Sequence, residues 1–329
     1  MTPELYIAAL ILASLVLYTL LGGADFGGGV WDLLATGPRA DDQRRVIAHA
    51  IGPVWEANHV WLIAVIVLLF ACFPEAYATI ATALHLPLSL MLFGIVVRGV
   101  SFVFRSYDGG HWRGWSRLFA GASALTPYML GVCLGASASG RIRVGSAPDL
   151  LSAWWAPFPL VTGAFVVAVF AFLAAVYLTL ETDDVALQDA FRARALGTAA
   201  LVTALAWLTF AAMRTGAPHL AAALWTSWWA LPFQLTTGAL GAGLLAALWG
   251  RRYAWARALA MVQATGLVCG FGAAQFPYLV TPDVRFDNAA APAVVLVTVG
   301  VAMTVGLVLL APAYAWLMRV FKGRTHALS

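Results

Sequence analysis

Long apolar runs separated by short polar segments dominate the chain. Nine stand out: Leu5–Ala24, Pro53–Phe73, Tyr77–Phe104, Ser116–Ser139, Trp155–Leu180, Leu196–Met213, Leu231–Trp249, Trp255–Phe276 and Pro292–Met318. At about 1.5 Å of rise per residue, each is long enough to cross the ~30 Å hydrocarbon core of a bilayer. The pattern predicts an all-α polytopic membrane protein with nine transmembrane helices in a single transmembrane domain. The stretch Pro218–Ala230 is apolar but short, and Trp225, Trp228 and Trp229 mark it as an interfacial segment leading into helix seven. The longest expected loop, Asp25–Gly52, leaves no room for a soluble domain.

Composition narrows the function classes. Of 329 residues, 62% are hydrophobic and only 10% charged, against roughly a quarter charged in a soluble domain. So few charges exclude a soluble enzyme, and so many apolar residues exclude a disordered chain. The net charge of +4 is too small to indicate a nucleic-acid partner. The basic residues are instead sorted by side. Arg39, Arg44 and Arg45 follow helix one; Arg105, Arg113 and Arg117 follow helix three; Arg192 and Arg194 follow helix five. Arg251, Arg252 and Arg257 follow helix seven, and Arg319, Lys322 and Arg324 follow helix nine. Only Arg141, Arg143, Arg214 and Arg285 follow even-numbered helices. The positive-inside rule then places the N-terminus outside and the C-terminus in the cytoplasm. Glu4, not a basic cluster, precedes the first run, so helix one is expected to be a retained anchor and not a cleaved signal. Cys72, Cys133 and Cys269 fall within spans without CxxC spacing and read as small buried apolar residues.

Charges at membrane depth are costly and therefore informative. Helix one ends in Gly22-Gly23-Ala24-Asp25-Phe26-Gly27-Gly28-Gly29, where glycine permits either close backbone approach or an unwound helix end. Asp25 reads as a solvated carboxylate at a frayed end or as a functional acid. Helix two opens with Pro53-Val54-Trp55-Glu56-Ala57-Asn58-His59-Val60-Trp61. Glu56 and His59 share a helical face, and Asn58 lies about 160° from Glu56. Glu56 fits either helix capping or a protonatable group at the cytoplasmic mouth of a proton path. Glu56-x-x-His59 also matches half of a di-iron motif, but no second copy or deep carboxylate accompanies it, so no metal is expected. In helix three, Arg98 either snorkels to the interface or pairs with Asp25 or Glu56, while His85 belongs to the outer half. No nucleophile–base arrangement, P-loop or zinc spacing is present.

These segments resemble subunit II of the cytochrome bd quinol oxidase family. The resemblance rests on the glycine–aspartate run and the Pro53–Ile63 block. It continues through Phe70-Ala71-Cys72-Phe73-Pro74-Glu75-Ala76-Tyr77, the stretch from Gly94 to Arg105, and a later Phe276-Pro277-Tyr278. It is specific over about residues 20–105 and looser over the rest. The resemblance implies a fold of two four-helix bundles plus one peripheral helix, with the first bundle at about 1–139 and the second with the last helix at about 155–320. It implies a complex in the bacterial cytoplasmic (inner) membrane that reduces O₂ to water with electrons from quinol. The partner, subunit I, would hold two haems b and one haem d, and small accessory subunits or a bound quinone would be compatible. This chain would hold no haem. Asp25 and Glu56 match the family's cytoplasmic proton-pathway carboxylates, although many relatives carry Asp where Glu56 stands. Arg98 is expected to keep nearby carboxylates ionised, and Trp55, Asn58, His59, Trp61 and Arg105 to shape the mouth or the subunit contact. Two rivals remain: a self-contained proton-coupled transporter or channel built on a glycine-broken helix, and a purely structural partner.

Overall fold

A computed structural model describes residues 2–52, 55–107, 113–145 and 151–322, without the side chains of Glu56, Ser106, Arg113 and residues 317–322. Pro53, the expected start of helix two, lies outside the described residues. The chain begins with α1 (Pro3–Leu17), passes through a π-helical turn at Tyr18–Gly22 and continues as α2 (Gly23–Leu33). Together these form one 31-residue span, Pro3–Leu33. The glycine run is thus helix interior, which corrects the expected helix end at Ala24. Its glycines serve close approach. A Cβ on Gly27 would stand 2.0 Å from the Phe170 carbonyl oxygen, and one on Gly29 2.2 Å from Ser123 Oγ.

A short helix, α3 (Ala40–Ile51), follows, so the expected long loop is mostly helical. Next come α4 (Trp55–Cys72) and α5 (Pro74–Ala83), bent by 117° relative to each other. Pro74 has no N–H to continue α4 and opens α5 at a first-turn position. The expected third span, Tyr77–Phe104, is therefore divided at Leu84 between α5 and α6 (His85–Tyr107). The remaining helices are α7 (Arg113–Ala138), α8 (Pro157–Leu178), α9 (Val185–Gly216), the short α10 (Pro218–Thr226), α11 (Ala230–Trp249), α12 (Tyr253–Gln275) and α13 (Ala293–Lys322). Between α12 and α13, β1 (Tyr278–Val280) pairs antiparallel with β2 (Val284–Arg285). Among the described residues, eight helices are long and apolar enough to cross a membrane, or nine with the bent α4–α5 pair counted as one span.

The packing explains where polar groups can go. α7 lies against α2, α6 and α8, and α8 also contacts α9 and α12. α1 lies against α4, α12 and α13. Large apolar side chains such as Phe93, Trp207 and Leu309 point outward, as in a protein solvated by hydrocarbon. Loops following the first, fifth and seventh predicted spans meet one another. Arg39 bonds Asp184, Arg194 bonds Gln43, and Arg251 bonds Asp189. The loops after the fourth and eighth spans meet each other separately, through Arg143 and Asp283 at 3.0 Å.

α9 starts eleven residues before its predicted apolar run because Asp184 caps it. The Asp184 carboxylate accepts from the N–H groups of Ala186 at 2.9 Å and Leu187 at 3.2 Å. Arg39 donates to it at 3.0 and 2.6 Å. These bonds, with Arg39's the largest effect, hold the Asp184 carboxyl below its ordinary 3.8, at about 2.

Gly27→Ala is expected to destabilise the protein by about 1–3 kcal/mol through overpacking. Gly121→Ala, with open space around it, should be neutral or stabilising by about 0.5–1 kcal/mol. Thermal unfolding in detergent separates the two. For Asp184, a folded-state pKa below the unfolded one means its stabilisation is present above about pH 4. It is lost as pH falls through about 2. Melting temperatures of Asp184→Asn and the parent should differ at pH 6 and converge towards pH 2.

Candidate functional site

The π turn at Tyr18–Gly22 re-phases the first span just before Asp25. Such turns inside α-helices recur at functional sites. Asp25 is only 6% exposed. Its carboxylate accepts a hydrogen bond from Asn58 Nδ2 on α4. The Asn58 carbonyl oxygen in turn accepts from the Tyr314 hydroxyl on α13 at 3.1 Å. Three helices distant in sequence thus meet on one carboxylate–amide–phenol chain.

Arg98, on α6, is 1% exposed and does not snorkel. Its Nη2 donates to the main-chain carbonyl of Asp25 at 3.2 Å and its Nε to Ser123 Oγ at 3.2 Å. The Ser123 hydroxyl donates in turn to the Phe119 carbonyl oxygen at 2.7 Å. The guanidinium lies 4.8 Å from the Phe26 ring centre, 5.1 Å from Phe119 and 5.9 Å from Trp55. Aromatic faces replace part of the water that the cation has lost.

The structure brings Asp25, Trp55, Asn58 and Arg98 together. His59 packs beside them, its ring centre 6.1 Å from Tyr18 and 5.9 Å from Phe26. Its buried Nδ1 has no hydrogen-bond partner among the described residues. Trp61 is buried in the apolar core. Arg105 stands apart from Arg98, paired with Asp32 at 2.9 Å. Glu56 belongs to α4 by its backbone, and its side chain lies outside the described residues. Asn58, read from sequence as shaping a mouth or a subunit contact, is 2% exposed and bonded within this chain.

Sequence reasoning missed Ser123, Tyr314 and Asp32. For Asp32 a signal existed. It lies seven residues after Asp25, hence on the same face of any continuous helix. For Ser123 and Tyr314 only the three-dimensional packing reveals the role. Chemically, the cluster offers a desolvated carboxylate bound by a neutral amide, with a fixed cation alongside. That arrangement suits proton transfer more than metal binding. Among the described residues, no three His, Cys, Asp or Glu side chains gather as a metal site.

A sequence model of the family described as cytochrome bd terminal oxidase subunit II matches residues 3–321. Cytochrome bd ubiquinol oxidase subunit 2 of Bacillus subtilis is 35% identical over 117 residues, covering 35% of this chain and 34% of that protein. Cytochrome bd-I ubiquinol oxidase subunit 2 of Escherichia coli K12 is 30% identical over 182 residues, covering 51% of this chain and 46% of that protein. The chain thus spans about a third to a half of the length of these curated relatives. The fold is similar to a chain of the bd oxidase from Geobacillus thermodenitrificans, with a TM-score of 0.82 at 23% identity over 98% of this chain and 99% of that one.

Asn58→Leu is expected to cost about 1–3 kcal/mol, because it strips a donor from Asp25 and the acceptor from Tyr314. Tyr314→Phe, which removes one hydrogen bond and leaves the amide in place, should cost about 0.5–1.5 kcal/mol. Thermal unfolding of both variants in detergent checks the order.

Proposed function

The chain belongs to the cytochrome bd terminal oxidase subunit II family, and from that premise we propose that it is the haem-free subunit of a quinol oxidase in the bacterial inner membrane. Its partner is the haem-bearing subunit I, where quinol is oxidised and O₂ is reduced to water. The N-terminus lies outside and the C-terminus in the cytoplasm, a reading supported by the sorted Lys and Arg positions. The two-bundle arrangement belongs to the same reading.

This chain's own chemical part is proton delivery. O₂ reduction consumes protons at a buried centre, and a bare charge in a low-dielectric medium is expensive. Titratable groups and water lower that cost by accepting and releasing the proton in steps. Asp25 and Glu56 admit protons from the cytoplasmic side, with Asn58 orienting the Asp25 carboxylate. The observation that carries this is a carboxylate only 6% exposed within a membrane span. Such residues are functional by default. Arg98 supplies a fixed positive field and ties α6 to α2. Haem is assigned to the partner subunit, as membership of the family implies.

The transporter reading drew its support from a helix broken at the glycines. That helix continues to Leu33, which removes the observation favouring it.

Glu56→Gln and Asp25→Asn are each expected to slow quinol-driven O₂ consumption by about one to two orders of magnitude with haem content intact. Normal turnover in either variant takes that residue out of the path. Purified without its partner, the chain should be colourless and inert in liposomes, and ion transport by the chain alone would revive the rival.

A further inference from the structure

Asp25 and Asp32 are seven residues apart on α2, and Arg98 and Arg105 are seven apart on α6. Both contacts between these helices bridge 73 positions, Arg98 to the Asp25 carbonyl and Arg105 to the Asp32 carboxylate. The two helices therefore run parallel there and carry matching polar faces. Seven residues are nearly two turns, a rise of about 10 Å. Ser101 lies between the two arginines on the same face of α6, within about one turn of each. Asp32 is 2% exposed and Ser101 1% exposed. The Asp32 Oδ2 is held by Arg105 at 2.9 Å, whereas its Oδ1 has no hydrogen-bond partner among the described residues. The Ser101 hydroxyl has none either.

Unpartnered buried oxygens cost about 1–3 kcal/mol each. Ordered water normally meets such groups. Two of them on facing stripes, between the Arg105 edge and Asp25, mark a place for such water. The Arg105 side chain is 23% exposed and forms the wet end of the stripe.

We infer that Asp32 is a further proton-carrying residue, placed two turns before Asp25 on the way in from solvent. The inference rests on the proton-delivery reading proposed above. A proton from bulk water adds to Oδ1 of the Asp32 carboxylate and forms an O–H bond. The resulting acid gives that proton to water beside Ser101, which releases one of its own protons towards the Asp25 carboxylate. Asp32 returns to its ionised form under Arg105. No electrons move, and the net change is one proton carried inward.

The alternative is a plain ion pair that staples α2 to α6. The test uses the whole oxidase, assembled with its haem-bearing partner in liposomes, with rates expressed per haem so that lost assembly is not counted as lost turnover. Asp32→Asn combined with Arg105→Gln removes the carboxylate without stranding a buried cation. This pair is expected to lower O₂ consumption about tenfold and to raise the solvent deuterium isotope effect, while Asp32→Glu keeps most of the rate. Full recovery of a slow Asp32→Asn variant by the added Arg105→Gln substitution identifies a structural ion pair and overturns the inference. Parent-like turnover in the double variant, with Asp25→Asn slow, overturns the role of Asp32 alone. Parent-like turnover in both overturns the Asp25 route as well.

Discussion

A guanidinium inside a membrane span must be solvated by protein, and Arg98 shows what that demands. Insertion of an arginine at mid-membrane costs about 2.5–3.5 kcal/mol on biological scales. Here the charge meets a main-chain carbonyl of α2, a hydroxyl of α7 and aromatic faces from α2, α4 and α7. Satisfying one cation therefore sets the mutual placement of four helices. The α2 carbonyl comes within reach partly because Gly29 carries no Cβ to strike Ser123. The glycine run and the buried arginine are two halves of one packing solution.

Much of this was readable before any coordinates. Run lengths located nearly every span, because a helix that must cross hydrocarbon announces itself by about 20 apolar residues. The two errors of span placement have different causes. Glycine disfavours helix in water by about 1 kcal/mol, so Gly22–Gly29 read as an end. Within a membrane protein no water competes for the backbone, and the helix continues where neighbours pack tightly. That single error put Asp32 in a loop and hid its alignment with Asp25. The break at Leu84 was hidden differently. Residues on both sides are apolar, so composition did not distinguish one long span from a bent pair. For the site itself, Asp25 and Arg98 were legible as charges where charges are rare. Their partners Ser123 and Tyr314 were not, since an uncharged hydroxyl in a span carries no comparable signal.

The charged groups outside the core follow a second logic. Arg39 and Asp184, exposed at the ends of helices distant in sequence, join the N-terminus of α9 to the segment following α2. Isolated surface pairs of this kind contribute little. Their value here is positional. Asp184 serves as a helix cap and as the partner of Arg39, so the same carboxylate that starts α9 also gathers the polar ends of two spans. In a protein whose helices are apolar on most sides, such contacts add register where side-chain packing alone is permissive.

The two faces of α2 differ, and the proposed polar route uses one of them. Gly23 and Gly27 press against Phe170, and the Trp31 indole N–H donates to the Ala171 carbonyl at 2.7 Å. These contacts hold that face of α2 against α8. Asp25 and Asp32 occupy the opposite side by helical periodicity, with Gly28 and Gly29 between them adding no side-chain bulk. α6 faces this side through long arginine side chains. A helix anchored by glycine contacts on one face cannot shift to relieve an unmet hydrogen bond on the other. Unsatisfied oxygens at Asp32 and Ser101 therefore persist as a property of the packed fold, and only something small and mobile can answer them. The proposed route takes water as that partner, since a file of water between two carboxylates moves a proton without moving a helix.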